Sequence, residues 1–191
     1  LILFGAVQLT MFGVGLRSGG ERFGALAWFG FVLAAGGLVY LVSPGIAAPP
    51  LLGAVLMAIA GVAWGVYSLR GRGVADPLAA TARNFTRAVP LALALSLVFA
   101  ASARVDATGL VLAVASGALT SGLGYAVWYA ALSRLSAMRA ATVQLSVPLL
   151  AAFGGVLFLS EAITPRLAAA SVAILGGIAI VLSQKSRKAR R

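Results

Sequence analysis

The chain has 191 residues, of which 61% are hydrophobic and 10% charged, with a net charge of +11 and a mean hydropathy of +1.03. Soluble domains are about 45–50% apolar and about 25% charged, so this composition excludes an ordinary soluble domain and predicts an all-α polytopic membrane protein. Cysteine and histidine are both absent, which excludes disulfides, thiol chemistry and the usual metal ligands. We therefore expect no cofactor and no metal.

Seven apolar runs, separated by short breaks, predict seven membrane-spanning helices. The first run begins at residue 1 without a basic flank or a cleavage site, so we interpret it as a helix and not as a signal peptide, and we expect further chain upstream. The pairs Asp76-Pro77 and Thr164-Pro165 have the order of cap and proline that begins a helix. The seven expected ranges are 1–16, 25–43, 51–69, 77–102, 108–132, 139–159 and 166–184.

The basic residues predict how these spans are oriented. If the C-terminus lies in the cytoplasm, only Arg104 and Arg166 of the 15 lysines and arginines fall outside, which is a strong positive-inside bias. We therefore expect a multi-pass protein of the cell (inner, cytoplasmic) membrane, with residues 185–191 as a basic cytoplasmic tail. Because this topology explains the positive charge, we expect the lipid bilayer as a partner and no nucleic acid.

The first two spans resemble the last two when the sequence is shifted by 140 positions. Glu21 then falls on Glu161, and Gly36-Gly37 falls on Gly176-Gly177. Each copy lies five spans from its partner, and an odd number of crossings turns the second copy upside down in the membrane. Inverted repeats of this kind are common in secondary transporters.

This repeat predicts the domain organisation. Residues 1–45 would hold the last two helices of a first repeat, and residues 51–184 would hold a complete second repeat of five helices. The first repeat would need three further helices upstream. We therefore expect the intact protein to contain about ten helices in two inverted five-helix repeats, with both ends in the cytoplasm.

Several sequence features resemble one known family. Residues 124–132 read Gly-Tyr-Ala-Val-Trp-Tyr-Ala-Ala-Leu, the next span contains Pro148, and Leu159-Ser160-Glu161 ends that span. With the glycine pair near the end, they resemble the EamA-like family of the drug/metabolite transporter superfamily, and the resemblance covers essentially the whole chain. It implies two five-helix repeats, a central cavity between them, and export or exchange of small organic solutes such as amino acids, metabolites or drugs. Gln8 departs from the pattern, because the repeat would place there the proline that matches Pro148.

Polar residues inside the spans are the first candidates for substrate binding, because polar groups within lipid face protein or a water-filled cavity. Gln144 lies one turn before Pro148, which removes a backbone donor and leaves a carbonyl free. We predict that Gln144 and this carbonyl bind solute near the membrane midplane. Gln8 and Thr10 on the first span have the same interpretation. The alternative is a hydrogen bond between helices, worth under about 1–2 kcal/mol.

Aromatic residues are the second set of candidates. Tyr125, Trp128 and Tyr129 recur at i, i+3 and i+4 and share one helix face, and Trp64 and Tyr67 are similarly spaced. Such rings either line a cavity, where they can cradle an ammonium group, or form an aromatic belt at the membrane interface. Tyr67 and Tyr129 lie within about a turn of cytoplasmic arginines, which favours the belt for these two. Trp64, Tyr125 and Trp128 are the candidates for a cavity.

The fourth span carries a polar cluster of Arg83, Asn84 and Arg87. Either the cluster forms an electropositive vestibule for anionic solutes, or the arginines extend to lipid headgroups, which we favour. Asn84 remains a candidate for substrate binding. Gly61 and Gly65 form a G-x-x-x-G pair, which we interpret as a face for close helix packing.

The acids argue against enzymatic function and proton coupling. The sequence has four acidic residues, and all lie at the ends of spans: Glu21, Asp76, Asp106 and Glu161. We interpret them as loop or capping residues. The spans contain no Asp, Glu, His, Cys or Lys, so they offer neither a proton relay nor an acid–base pair for an intramembrane enzyme.

The sequence therefore predicts a secondary transporter that exports or exchanges small organic solutes by alternating access. Two alternatives stay open, a non-transporting membrane scaffold or assembly subunit and a passive channel. A small organic solute is the expected partner besides lipid, with a homodimer as a further option.

Overall fold

The structure, a computed structural model, describes residues 1–17, 23–43, 50–102 and 104–184. All regular elements in these ranges are helical, so the all-α prediction is confirmed. Glu21 and the predicted tail of residues 185–191 lie outside the described residues. The helices are α1 (Ile2–Arg17), α2 (Ala25–Val42), α3 (Leu51–Gly71), α4 (Pro77–Val98), α5 (Ala107–Val114), α6 (Gly124–Leu132), α7 (Ala137–Gln144), α8 (Val147–Leu159) and α9 (Pro165–Ser183).

Among the residues that the structure describes, five helical stretches are long and apolar enough to cross a membrane. Ile2–Arg17 is apolar but has only 16 residues, and α4, which carries the Arg83–Arg87 cluster, is not among the five. Five of the seven predicted spans therefore have the required length and composition, and the count of seven stays a prediction. The five are Ala25–Val42, Leu51–Gly71, Ala107–Leu132, Ala137–Leu159 and Pro165–Ser183.

The helix starts follow the predicted capping chemistry. The Asp76 carboxylate accepts a hydrogen bond from the Ala79 amide at 2.9 Å, directly before Pro77. The Thr164 hydroxyl accepts one from the Leu167 amide at 3.1 Å in the same way. Asp106 caps α5 through a 2.6 Å bond from the Gly109 amide. Each cap satisfies an amide that the first helical turn leaves without a partner.

The described chain forms two compact units. The described residues within Leu1–Leu69 and Leu135–Arg191 form unit 1, and those within Arg70–Arg134 form unit 2. Unit 1 therefore holds α1, α2, most of α3 and α7–α9, whereas unit 2 holds α4, α5 and α6. The predicted division into five-helix repeats, between residues 45 and 51, is based on sequence similarity and not on spatial contacts. It stays a prediction.

Unit 1 is organised by the close crossing of α2 and α9. A methyl group built on Gly30 would lie 3.0 Å from Ile180 Cβ, and one built on Gly37 would lie 2.9 Å from Ala173 Cβ. Since later residues of α2 meet earlier residues of α9, the two helices run antiparallel. The Arg166 guanidinium, at the start of α9, accordingly lies 5.5 Å from the Tyr40 ring near the end of α2.

The core of unit 1 joins these two helices to the junction between α7 and α8. Ala34 and Leu38 of α2 pack with Leu145 and Leu149. From α9, the same cluster receives Leu167, Ile174 and Ile178. Because Leu145 directly follows Gln144, the α2–α9 crossing fixes where the end of α7 lies.

Helices α1 and α3 approach each other through glycine. A methyl group on Gly61 would lie 2.7 Å from Ala6 Cβ, and one on Gly65 would lie 2.8 Å from Thr10 Cβ. The G-x-x-x-G pair therefore serves the close packing that we expected of it. Gly15, further along α1, packs against Met138 of α7.

Unit 2 contains an unusual helical segment. Residues Ala115–Leu123, between α5 and α6, form a nine-residue π-helix inside one continuous helical stretch. π-Helices are rare, mostly single-turn and frequent at functional sites. The sequence predicted an ordinary helix over 108–132, so the π segment is a feature that sequence reasoning missed.

Substitutions at the glycine pairs test the α2–α9 crossing. Gly37→Ala and Gly177→Ala should each lower the free energy of unfolding by about 1–3 kcal/mol, because the methyl group would overlap the facing helix. Gly36→Ala and Gly176→Ala are matched controls, since a methyl group there meets nothing within 4 Å. The controls should be neutral or stabilise by up to about 1 kcal/mol. The free energy of unfolding is measured by denaturant unfolding in micelles. Equal losses for a variant and its neighbouring control would contradict the close crossing of α2 and α9.

Candidate substrate site

Gln8 connects α1 to α7 through a buried hydrogen bond. Its side chain is 8% exposed, and its Nε2 donates to the Ala141 carbonyl oxygen at 2.9 Å. A carbonyl oxygen can only accept, so this bond fixes which end of the amide points towards Ala141. The Gln8 Oε1 atom is therefore the acceptor that remains.

Gln144 connects α7 to α3 in a similar way. Its side chain is 2% exposed, and its Nε2 lies 3.2 Å from the hydroxyl oxygen of Ser68, which is fully buried. Trp64 lies one turn before Ser68 on α3, and its ring contacts the Phe4 ring edge-on at 5.7 Å. Phe4 in turn lies one turn before Gln8 on α1.

These contacts link three helices in pairs: α1 to α7, α7 to α3, and α3 to α1. On each helix the two residues involved lie about one turn apart, so the contacts converge on one region of unit 1. We call this region the α1–α3–α7 cluster and define it by Gln8, Trp64, Ser68 and Gln144. The structure thus brings together three of the predicted site residues, Gln8, Trp64 and Gln144.

Three polar atoms of this cluster are buried without a hydrogen bond in the described residues. They are Gln8 Oε1, Gln144 Oε1 and Trp64 Nε1. A buried polar atom left unsatisfied costs about 1–3 kcal/mol, and such atoms normally find a protein group, water or ligand. Reversing the Gln144 amide would not remove the deficit, because one of its two polar atoms would still lack a partner. The cluster therefore offers two acceptors and one donor.

A helix break lies directly beside Gln144, within the span that the sequence predicted as continuous over 139–159. Helix α7 ends at Gln144 and α8 begins at Val147, and the Leu145 and Ser146 amides reach back only three residues, to carbonyls at 3.1 and 3.0 Å. Pro148 has no amide hydrogen to donate to the Gln144 carbonyl. At the matching position in the first span, α1 runs through Gln8 without interruption.

Thr10 has a local partner. Its hydroxyl donates to the Ala6 carbonyl of its own helix at 2.8 Å, and its Cβ packs against Gly65. Such a bond within one helix satisfies the hydroxyl without a ligand. Thr10 therefore contributes to the packing of α1 against α3.

The remaining candidates lie in unit 2, on α4 and α6. Asn84 Nδ2 donates to the Tyr129 hydroxyl at 3.3 Å, and the Phe85 and Tyr125 rings lie 6.0 Å apart. Trp128 is half-buried on α6. Tyr129 is only 2% exposed, so it is packed inside unit 2. An aromatic belt requires an exposed ring, which Tyr129 does not present.

The acidic residues that the structure describes lie at the ends of helices. Asp76 and Asp106 cap helices, as described above, and Glu161 is exposed just after α8. Ser160 precedes it in the left-handed region, with φ of 55°, a conformation that commonly ends helices. Within the described residues, no group of three or more His, Cys, Asp or Glu side chains is arranged to hold a metal ion.

Comparisons with known proteins agree on one family. The model of the EamA-like transporter family matches residues 51–183. A protein of Pseudomonas aeruginosa, described as uncharacterized, is 54% identical over 191 residues, and the match covers 100% of this chain but only 66% of that protein. The chain thus spans about two thirds of the length of this relative. A crystal structure of a protein superposes with a TM-score of 0.72 over 96% of this chain and 68% of that chain; at 22% identity it supports the fold alone.

A stability measurement separates a ligand site from a structural network. Replacing both partners, in the double variant Ser68→Ala/Gln144→Leu, should leave the free energy of unfolding unchanged or raise it by up to about 2 kcal/mol, because it removes a buried acceptor that has no partner. Thr142→Val is a matched control on α7, since the Thr142 hydroxyl bonds within its own helix. A loss of more than about 1 kcal/mol in the double variant, beyond that of the control, would indicate a structural network.

Proposed function

The chain belongs to the EamA-like transporter family, and from this premise we propose that it is a secondary transporter that exports or exchanges small organic solutes by alternating access. A multi-pass membrane protein of this family is a transporter of the drug/metabolite superfamily. The observation that carries the finer proposal is the set of three buried polar atoms without partners in the α1–α3–α7 cluster. Transporters bind their solutes near the midplane on polar groups of this kind.

The cluster supports binding of an uncharged or zwitterionic solute. Gln8 Oε1 and Gln144 Oε1 would each accept a hydrogen bond from an N–H or O–H group of the solute, and Trp64 Nε1 would donate one. None of the four side chains that define the cluster is charged, so a solute with a single net charge would remain uncompensated by them, which is costly within a membrane. Binding would therefore rest on neutral hydrogen bonds.

The contacts between α2 and α9 support the proposed inverted repeat. Gly37 packs against Ile174, and Gly177 packs against Ala34. The shift of 140 positions converts one of these contacts into the other. A two-fold axis exchanges contacts in this way, and for antiparallel helices that axis is perpendicular to them, in the membrane plane. We therefore retain two inverted five-helix repeats, seven spans in residues 1–184 and a cytoplasmic C-terminus in the cell membrane as parts of the proposal.

The π segment provides a place where one span can change register. A π-helical turn holds about one residue more than an α-helical turn. If the segment becomes α-helical with the same number of residues, the following helix rotates by about 100°. That helix is α6, which carries Tyr125 and Trp128. We propose that the segment Ala115–Leu123 changes its hydrogen-bonding register during transport and re-aims these two rings.

Flux through proteoliposomes tests the transport proposal. Counterflow of labelled uncharged and zwitterionic solutes should be measurable, and Gln8→Leu and Gln144→Leu should each raise the solute concentration for half-maximal flux about tenfold, because each removes one acceptor. Thr142→Val should leave that concentration unchanged within about twofold. A scaffold would give no flux for any solute of a broad panel, and a channel would give a conductance far above carrier turnover.

A single-residue deletion tests the role of the π segment. Deleting Ala118 should restore a regular α-helix and reduce the maximal flux by at least about tenfold, because α6 then keeps its present setting and has no inserted residue with which to change register. Adding one alanine after Thr120 to the deletion variant should restore both the π register and the flux. Full flux in the deletion variant, at equal membrane insertion, would show that the π register is not needed.

A further inference from the structure

The break between α7 and α8 leaves one backbone carbonyl without its helical donor. In a continuous α-helix, the Ala141 carbonyl would accept a hydrogen bond from the Leu145 amide, four residues later. In the structure the Leu145 amide donates instead to the Thr142 carbonyl, three residues back, at 3.1 Å. Ala141 is fully buried, so its carbonyl needs a donor from elsewhere in the protein.

That donor is Gln8, on α1. Its Nε2 donates to the Ala141 carbonyl oxygen at 2.9 Å, in a buried hydrogen bond. Under the shift of 140 positions, Gln8 occupies the place of Pro148, and a proline at position 8 would have no donor to offer. The departure of Gln8 from the repeat pattern therefore places a donor where the break in the other copy needs one.

The packing of α1 against α7 holds Gln8 in this position. Val7 and Met11, on either side of Gln8, are both fully buried. Further along, a methyl group on Gly15 would lie 2.9 Å from Met138 Cγ, so α1 follows α7 beyond the Gln8 contact. Another partner for the Gln8 amide would require α1 to move away from α7.

The hydrogen bond from Gln8 favours the broken form over a continuous helix. In the broken form, loss of Gln8 would leave the buried Ala141 carbonyl unsatisfied, which is costly. In a continuous α-helix the Leu145 amide would satisfy that carbonyl, so loss of Gln8 would cost less. An interaction that is stronger in one of two conformations shifts the equilibrium towards that conformation.

The register of the break also determines where Gln144 lies. A bond to the third residue back belongs to a 3₁₀-helix, which turns about 20° more per residue than an α-helix. The Leu145 and Ser146 amides both bond in this way, so a return to α-helical register would turn α7 relative to α8 by about 40°. Because the core holds Leu145 and Leu149 against α2 and α9, α7 is the part that would turn. The Gln144 side chain would then move by about 4 Å, away from Ser68.

We propose that Gln8 is a positioning residue of the α1–α3–α7 cluster: its side-chain amide holds the break in the register that directs Gln144 towards Ser68. This inference deepens the proposed function and rests on it only for the consequence in transport. That consequence is a coupling between α1 and the break. When α1 separates from α7 in the transport cycle, the Leu145 amide takes over the Ala141 carbonyl and Gln144 leaves Ser68.

Replacing Pro148 isolates the contribution of Gln8. Pro148→Ala restores an amide that can donate to the Gln144 carbonyl, so the α-helical register becomes available. With Gln8 present, this variant should keep the broken form. Addition of Gln8→Met, which has a similar length and no amide, should lower the ratio of broken to continuous form at least about tenfold. Thr10→Val added to Pro148→Ala is a matched control, since the Thr10 hydroxyl bonds within α1.

The side-chain amide of Gln144 reports the register by NMR. Residues 1–191 contain three glutamines, Gln8, Gln144 and Gln184, so ¹⁵N-glutamine labelling in lipid nanodiscs gives few side-chain signals, and Gln144→Leu assigns the relevant one. Ser68→Ala provides the reference signal of a Gln144 amide without its partner. Pro148→Ala and the control should keep the parent signal. The variant Pro148→Ala/Gln8→Met should move towards the reference, with hydrogen exchange of this amide at least about tenfold faster than in the parent.

Two results would overturn this inference. One is a Gln144 signal that is the same in Pro148→Ala with and without Gln8→Met. The other is loss of the parent signal in the control with Thr10→Val. Variants are compared at equal helix content by circular dichroism, and Gln8→Leu replaces Gln8→Met if the methionine variant does not fold.

Transport is tested separately, because the NMR measurement uses no solute. Pro148→Ala should raise the solute concentration for half-maximal flux at least about fivefold more in the Gln8→Met background than in the parent. The expected NMR signals without flux of any solute would overturn transport and leave the role of Gln8 in the break in place. Flux that responds equally to Pro148→Ala in both backgrounds would overturn the link from Gln8 to the site and leave transport in place.

Discussion

The approach of α2 to α9 is the contact on which the rest of unit 1 depends. Helices in lipid gain little from burying apolar surface against each other, so small residues that allow close packing hold them together. Gly37 and Gly177 provide that packing, each against the facing helix. The same two helices form, with Leu145 and Leu149, the core that positions the end of α7. Gln144 precedes Leu145, so this crossing also sets the position of the α1–α3–α7 cluster.

The α1–α3–α7 cluster is unusual because it combines burial with incomplete hydrogen bonding. Gln8 and Gln144 each use their nitrogen to join two helices, and each keeps a buried oxygen without a partner. A region built only for stability would replace these side chains with apolar ones of similar volume. Stability forgone at a localised cluster is typical of binding sites. The transporter family and the cluster therefore support the same function from independent observations.

Much of the fold could be predicted from the sequence because its signals are local. The cap-and-proline pairs Asp76-Pro77 and Thr164-Pro165 predicted helix starts that the structure confirms. Contacts between distant helices carry no such signal. The convergence of Trp64 with the two glutamines and the burial of Tyr129 both depend on how helix faces pack against each other. Residues 115–123 are rich in small side chains that fit α- and π-helix alike, so their register was equally beyond sequence reasoning.

The central claim is that the beginning and the end of this chain lie in the membrane as inverted copies. Ser43 and Ser183 are equivalent under the shift of 140 positions, both are exposed, and each ends its helical stretch. The protein has no cysteine, so Ser43→Cys and Ser183→Cys each introduce one unique thiol for labelling with a membrane-impermeant reagent in whole cells. Inversion predicts that the thiol at position 43 reacts in intact cells and the thiol at position 183 reacts only after permeabilisation. Reaction of both thiols from the same side would contradict the account.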